Sequence, residues 1–324
     1  MGRGARGRRA ATTATLLAVT LTAALAAGCT GGSGAPDDGR GSASASERSP
    51  SAAGPSALAV KLDNASAARP HTGVDAADVV YVEQVEGGLS RLMAVYATRV
   101  PEAVGPVRSA RESDLELLRQ FRRPTLVFSG AQKKLLPLID EAPLRAVTPS
   151  DAPDAFYRGG DRAAPHNLYL RPGRIVNEIP GRAALTTGFR YGSAPAGGTP
   201  TASRTVRYPA ARFTFTWSGA RDRWLVGMDG SPATSAGGER MTAATVVVQY
   251  VRIRESGFRD FLGNNSPYTE TVGSGKATVL RDGRAWEVDW KRAKATDGTA
   301  FTTGDGSPVS FARGQVWVVY AQAS

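Results

Sequence analysis

Asp78-Val79-Val80-Tyr81-Val82-Glu83-Gln84-Val85-Glu86-Gly87-Gly88-Leu89-Ser90-Arg91-Leu92-Met93-Ala94-Val95-Tyr96 sets two apolar, β-prone runs on either side of a Gly-Gly pair. Glycine reaches the positive φ angles of a tight reversal, so the stretch predicts a hairpin of strands 78–82 and 91–96. Leu58-Ala59-Val60-Lys61-Leu62 predicts a strand just before it. Leu115, Leu118 and Phe121 then recur at helical spacing over 112–122, Pro124 ends the helix, and Thr125-Leu126-Val127-Phe128 reads as a buried strand. A shorter helix is expected over 131–139, with Pro137 near its end, and another over 174–179 between Pro172 and Pro180. Strands interleaved with helices over 57–191 predict an N-terminal mixed α/β domain.

Residues 192–203 are Gly, Pro, Ala, Ser and Thr with a single tyrosine nearby at 191, a linker or surface loop. Beyond them, 204–324 changes texture. Residues 213–217 alternate, 245–251 are β-branched, and 277–280 and 285–290 flank Arg281-Asp282-Gly283-Arg284, a hairpin turn. Residues 315–320 form a last strand. With no helix longer than one or two turns, this half is expected to be a mainly antiparallel β domain, giving an α+β chain overall. Trp217, Trp224, Trp286, Trp290 and Trp317 are read as core residues in preference to a glycan-stacking face.

The N-terminus has a different grammar. Arg3, Arg6, Arg8 and Arg9 precede an Ala/Thr/Leu-rich run that ends Leu25-Ala26-Ala27-Gly28-Cys29. A basic start, an apolar middle and small residues before a thiol predict a lipoprotein signal peptide over 1–28. Cys29 is then the lipidation site, its thiolate taking diacylglycerol and the mature chain carrying a palmitate-type acyl anchor. Residues 29–56, with no large apolar side chain before Leu58, are expected to form a flexible tether. This predicts a cell-envelope protein held on the outer face of the cytoplasmic membrane.

Composition narrows the chemistry. Cys29 is the single cysteine among 324 residues, so no disulfide framework or thiolate metal site exists. With two histidines, His71 and His166, imidazole-rich metal sites are excluded by count. The formal net charge is +11, and the chain stays basic without its four signal-peptide arginines. That favours anionic partners such as wall polymers or phosphorylated precursors. The arginines are scattered, and a nucleic acid partner is not expected.

Val104-Gly105-Pro106-Val107-Arg108-Ser109-Ala110-Arg111-Glu112-Ser113-Asp114 runs from a loop into the predicted helix. Ser109 followed by Glu112 matches a capping box, which would put Arg111 in the first helical turn against the helix dipole. Arg108, Ser109 and Arg111 are therefore candidate anion ligands, with Arg91, Arg69, His166 and Asn167 as candidates to join them. The plainer reading pairs both arginines with Glu102, Glu112 or Asp114. Asp63, Asp78, Glu83 and Glu86 are the carboxylates that a hard cation would want, but turn-forming acids and a solvated hairpin are the preferred reading. No metal site is expected.

Val60-Lys61-Leu62-Asp63-Asn64, Ala68-Arg69-Pro70, Ala77-Asp78-Val79-Val80-Tyr81, Val85-Glu86-Gly87-Gly88, Gly105 to Arg111 and His166-Asn167-Leu168-Tyr169 together resemble the YerB-like lipoprotein family. The resemblance continues through Thr245 to Tyr250, Gly273 to Ala277 and Trp290-Lys291. It implies a two-part extracytoplasmic module with no established activity and no catalytic residues to carry over. The order of an acid-bearing strand, a Pro-Val-Arg-Ser segment and an Asn-containing loop is also similar to the LytR-CpsA-Psr phosphotransferases, although their Arg-Ser-Asp-Thr and Pro-Arg-Asp-Thr strings are absent. Three functions follow as expectations. The first is non-catalytic binding of an anionic wall component or precursor, with no cofactor. The second is a Mg²⁺-dependent phosphotransferase or hydrolase acting on a lipid-linked phosphorylated glycan. The third is a scaffold for an envelope protein partner.

Overall fold

The computed structural model describes residues 56–260 and 263–324. The expected signal peptide, Cys29 and all of the tether except Ser56 lie outside them. β1 (Leu58–Asp63), β2 (Val79–Gln84) and β3 (Ser90–Tyr96) form an antiparallel set in the order β2-β3-β1. The expected hairpin is present. Its reversal passes through a short 3₁₀ turn in which Gly87 and Gly88 have φ of 67° and 71°. A Cβ on Gly88 would also stand 2.5 Å from Pro209 Cβ, so both conformation and space require glycine there. α1 (Glu112–Leu118) leads to β4 (Thr125–Val127), parallel to β1. α2 (Leu136–Glu141) leads to β5 (Arg145–Val147), parallel to β4.

The free edge of β2 pairs in parallel with Val316–Gln322, which pairs in parallel with Thr245–Val251. Gly273–Arg281, Arg284–Arg292 and Ala300–Thr302 follow in antiparallel order. One eleven-stranded mixed sheet thus runs through both halves of the sequence. Thr199–Pro200, within 192–203, pairs with its Arg284 end. The Asp-Gly turn is present too, with φ of 50° at Asp282 and 70° at Gly283.

Both faces of the central sheet are covered. On one, Leu58, Val60, Leu62, Val80 and Val82 share a core with a second, antiparallel sheet, Ser203–Tyr208, Ala211–Ser218 and Arg223–Met228. Phe213 and Phe215 of that sheet lie 6.5 and 6.1 Å from the Trp317 ring. Such aromatic pairs each contribute about 0.5–1.5 kcal/mol beyond their area. On the other face, Ala59, Tyr81 and Met93 pack under Leu117, Leu118 and Phe121. Two covered faces explain why every residue of β1 is buried, Lys61 and Asp63 included.

Three local expectations need correction. α1 ends at Leu118, because the chain turns through Gln120, whose amide donates to the Leu117 carbonyl. Pro137 opens α2 instead of closing it, at a first-turn position whose missing N–H costs nothing. No α-helix forms over 174–179, where only Pro172–Arg174 makes a 3₁₀ turn. Asn177, Glu178 and Ile179 are exposed, so that stretch has no continuous apolar face to bury. Trp224, Trp286, Trp290 and Trp317 are core residues as expected, and Trp217 is half-buried.

Candidate anion-binding site

The hairpin register puts Asp63 opposite Arg91, and Arg91 opposite Glu83. Antiparallel partners share a face, so these three side chains form a charged row across β1, β3 and β2. Lys61, two residues back on β1, projects from the same face. α1 lies over it and lowers Asp114 into the layer.

Residues 105–111 reach this layer in extended form. Asp63 N–H donates to the Pro106 carbonyl (2.9 Å), Arg108 N–H to the Lys61 carbonyl (2.8 Å) and Ala110 N–H to the Gly130 carbonyl (3.0 Å). That pairing keeps Ser109 out of the helix, which corrects the capping-box reading. Arg111, with φ −129° and ψ 162°, is the N-cap. Its N–H donates to Asp114 Oδ2 at 2.7 Å, while its carbonyl accepts from the Asp114 N–H at 3.1 Å. The charge of Arg111 therefore does not sit in the first turn. Its guanidinium clasps Glu86 instead, Nε to Oε1 at 2.5 Å and Nη2 to Oε2 at 2.7 Å.

None of the expected partners, the side chains of Glu102, Glu112 and Asp114, takes either guanidinium. Arg108 Nε stands 3.3 Å from Asp63 Oδ2, an ion-pair distance, yet this buried nitrogen has no hydrogen-bond partner. His166 Nδ1 lies 2.8 Å from the same Oδ2. The Ala65 N–H donates to Asp63 Oδ1 at 3.2 Å. Burial raises the Asp63 pKa, but the Ala65 and His166 hydrogen bonds and the charges of Arg108 and Arg91 outweigh it and hold the carboxyl below its usual range. Arg91 is 9% exposed and donates once, to the Ser109 carbonyl at 3.2 Å. Burial, then the neighbouring Arg111 charge, pushes Arg91 down to about 9, with Glu86 opposing and Arg108 adding to the shift. Arg91, Arg108 and Arg111 thus converge on Ser109 and Asp63, and only Arg111 is fully engaged.

Two predicted residues do other work. Arg69 donates to Asn64 Oδ1 (3.0 Å) and the Asn64 carbonyl (2.7 Å), and pairs with Asp229 at 2.8 Å. Asn167 accepts from Arg158 (2.7 Å) and donates to the carbonyls of Gly159 and Arg162, so it pins its own loop behind His166.

The solvated-hairpin reading of the acids is also corrected, since Glu83 and Glu86 are buried. Burial raises Glu86, but the hydrogen bonds and charge of Arg111, with Ser266, bring it to about 2. Asp78 accepts from the N–H groups of Ala97 and Thr98 and the Thr98 hydroxyl. Among the described residues, no cluster of three or more acids and imidazoles is arranged to hold a metal ion. The residue whose importance sequence reasoning missed is Lys61. Its Nζ lies 2.7 Å from Glu83 Oε2 and 2.6 Å from Asp114 Oδ1, all three buried. A lysine inside the apolar run 58–62 was the available signal.

The chain belongs to a family of unknown function, DUF3048, whose N-terminal domain matches residues 43–186 and whose C-terminal domain matches 204–318. It is similar to the protein named "Putative lipoprotein YerB" of Bacillus subtilis (strain 168), 24% identical over 286 residues, covering 81% of this chain and 80% of that one. The crystal structure of YerB from Bacillus subtilis superposes with a TM-score of 0.71 at 20% identity, covering 83% of this chain and 92% of that chain. The structural likeness establishes a shared fold.

Proposed function

We propose that this is a membrane-tethered extracytoplasmic lipoprotein of the bacterial envelope, anchored through Cys29, that binds an anionic cell-wall component or phosphorylated precursor without turning it over. The signal pattern of residues 1–29 and the name of the Bacillus subtilis relative support the anchoring. The binding rests on one observation: Arg108 is held beside Asp63 with a buried Nε that makes no hydrogen bond. Arg91 and His166 stand next to it, and an anion would bind at the partly exposed rim of the Arg108 side chain. Arg111 supports the site indirectly by fixing Glu86 and the Ser109 carbonyl.

The test is calorimetric titration of the full chain in detergent with pyrophosphate and with a polyprenyl pyrophosphate, with and without Mg²⁺. Saturable binding is expected, weakened about tenfold or more in Arg108→Ala, the equivalent of one charge-assisted hydrogen bond. Failure of the folded wild type to bind either compound, or binding untouched by Arg108→Ala, overturns the reading. Mg²⁺-dependent release of product would convert it into an enzyme.

A further inference from the structure

Lys61, Glu83 and Asp114 are not needed for anion binding, and their arrangement is unusual. The Lys61 ammonium is fully buried between two carboxylates that come from β2 and α1. Ala59, Tyr81, Met93, Leu117 and Leu118 belong to the apolar core on this face of the sheet. An ion pair removed from water in this way gains little over an apolar filling of the same volume. A dry, fixed amine held against a carboxyl is, however, the geometry that makes amide formation fast, because the entropy of bringing the groups together is already spent.

We propose that Lys61 Nζ and the Asp114 carboxyl condense to an intramolecular amide that ties β1 to α1, with Glu83 carrying the protons. Each atom of the step has a partner in place. One ammonium proton passes from Nζ to Glu83, 2.7 Å away, and frees the lone pair. Nζ, already in 2.6 Å contact with Oδ1, then attacks Asp114 Cγ. Charge gathers on Oδ2, which accepts the Arg111 backbone N–H at 2.7 Å, a donor acting like an oxyanion hole. Glu83 hands its proton to Oδ1, and the second surplus proton on nitrogen follows by the same relay. The Cγ–Oδ1 bond breaks and Oδ1 leaves as water. Ammonium plus carboxylate become a neutral amide plus water, Glu83 ends as it began, and nothing is oxidised or reduced. Glu83 can take the proton: burial raises its pKa, Lys61 lowers it and Asp114 raises it again, leaving it above the usual carboxylate range. Burial lowers the Lys61 pKa, but Asp114 and Glu83 outweigh it and raise it above the ordinary lysine value, so this first transfer is the uphill part of the step. Glu83 Oε1 is buried without a hydrogen-bond partner, so one oxygen is unencumbered for proton transfer.

The test is peptide mapping by mass spectrometry of the full chain purified in detergent. Trypsin cuts after Arg111 and Arg119, so Asp114 falls in the peptide 112–119. The expected product is that peptide joined to the one carrying Lys61, lighter than the two together by one water, with no cleavage after Lys61. Glu83→Gln keeps the volume and both reacting groups, and it is expected to yield the two peptides unlinked from a chain with wild-type circular dichroism. Linear peptides from the wild type, with cleavage after Lys61, overturn the proposal without recourse to any variant. A cross-link that persists in Glu83→Gln removes Glu83 from the step.

Discussion

Two residues of β1, one turn of the pleat apart, solve opposite problems. Before any condensation, Lys61 is one cation between two acids, and Asp63 is one acid among two basic side chains and a backbone N–H. The first cluster is closed, with Lys61 fully buried and bonded to both neighbours. The second stays open at its rim, where the Arg108 and His166 side chains are each 25% exposed. Burial decides the difference. Under α1 every charge must be answered inside the protein, whereas at the strand end water, or a ligand, can answer the remainder.

Breaking the closed cluster should have the largest effect. Lys61→Ala strands two buried carboxylates and should destabilise the chain by roughly 3–5 kcal/mol or more in denaturant unfolding. A loss below about 1 kcal/mol would erase the distinction between the clusters. The open cluster is reached through acid. His71 donates through Nε2 to the Asp63 carbonyl at 2.8 Å, and burial lowers its pKa to about 4 from 6.5. Its folded form binds protons less readily than its unfolded form, so its contribution is complete above pH 6.5 and declines as pH falls toward 4. The decline should amount to roughly 3 kcal/mol between those limits, read from denaturant midpoints against pH. In His71→Gln the slope in that window should flatten, and an unchanged slope would assign the acid sensitivity elsewhere.

Asp63→Asn keeps the shape of the open cluster and removes its charge. A loss of about 1–3 kcal/mol is expected, since charge-assisted bonds to His166 and the pull of Arg108 go together. A loss comparable to Lys61→Ala would show that the second cluster is closed as well. At the bottom of the scale, Lys276 pairs with Asp289 at 2.6 Å while both side chains are largely in solvent. Lys276→Ala should move stability by no more than about 0.5 kcal/mol, which makes it the exposed reference for the other two.

The sequence reveals what short-range rules determine. Gly87-Gly88 and Asp282-Gly283 mark real reversals, because the glycine φ requirement is local. Sequence names Arg91, Arg108, Arg111 and His166 only as separate candidates: the register between β1 and β3 brings in Arg91, the long-range pairing of 105–111 brings in Arg108 and Arg111, and the contact with Asp63 brings in His166. Lys61 inside the apolar run 58–62 signals a buried cation, but that run does not reveal its partners, which lie 22 and 53 residues away. Ser109 failed as a cap for the same reason: Lys61 and Gly130 hold the segment around it in extended form. Arg69 and Asn167 carry the right chemistry but are consumed by Asp229 and by the 158–162 loop.

Val316–Gln322 lies between Thr245–Val251 and β2, in parallel with both. By the time a ribosome reaches residue 316, every other strand of the eleven has been made, and the seam between them is still vacant. Until that strand arrives, two long apolar edges face outward, each able to recruit a foreign strand. A stop codon at 316 would therefore leave two separate half-sheets and a chain prone to aggregate, although it would remove under 3% of the 324 residues.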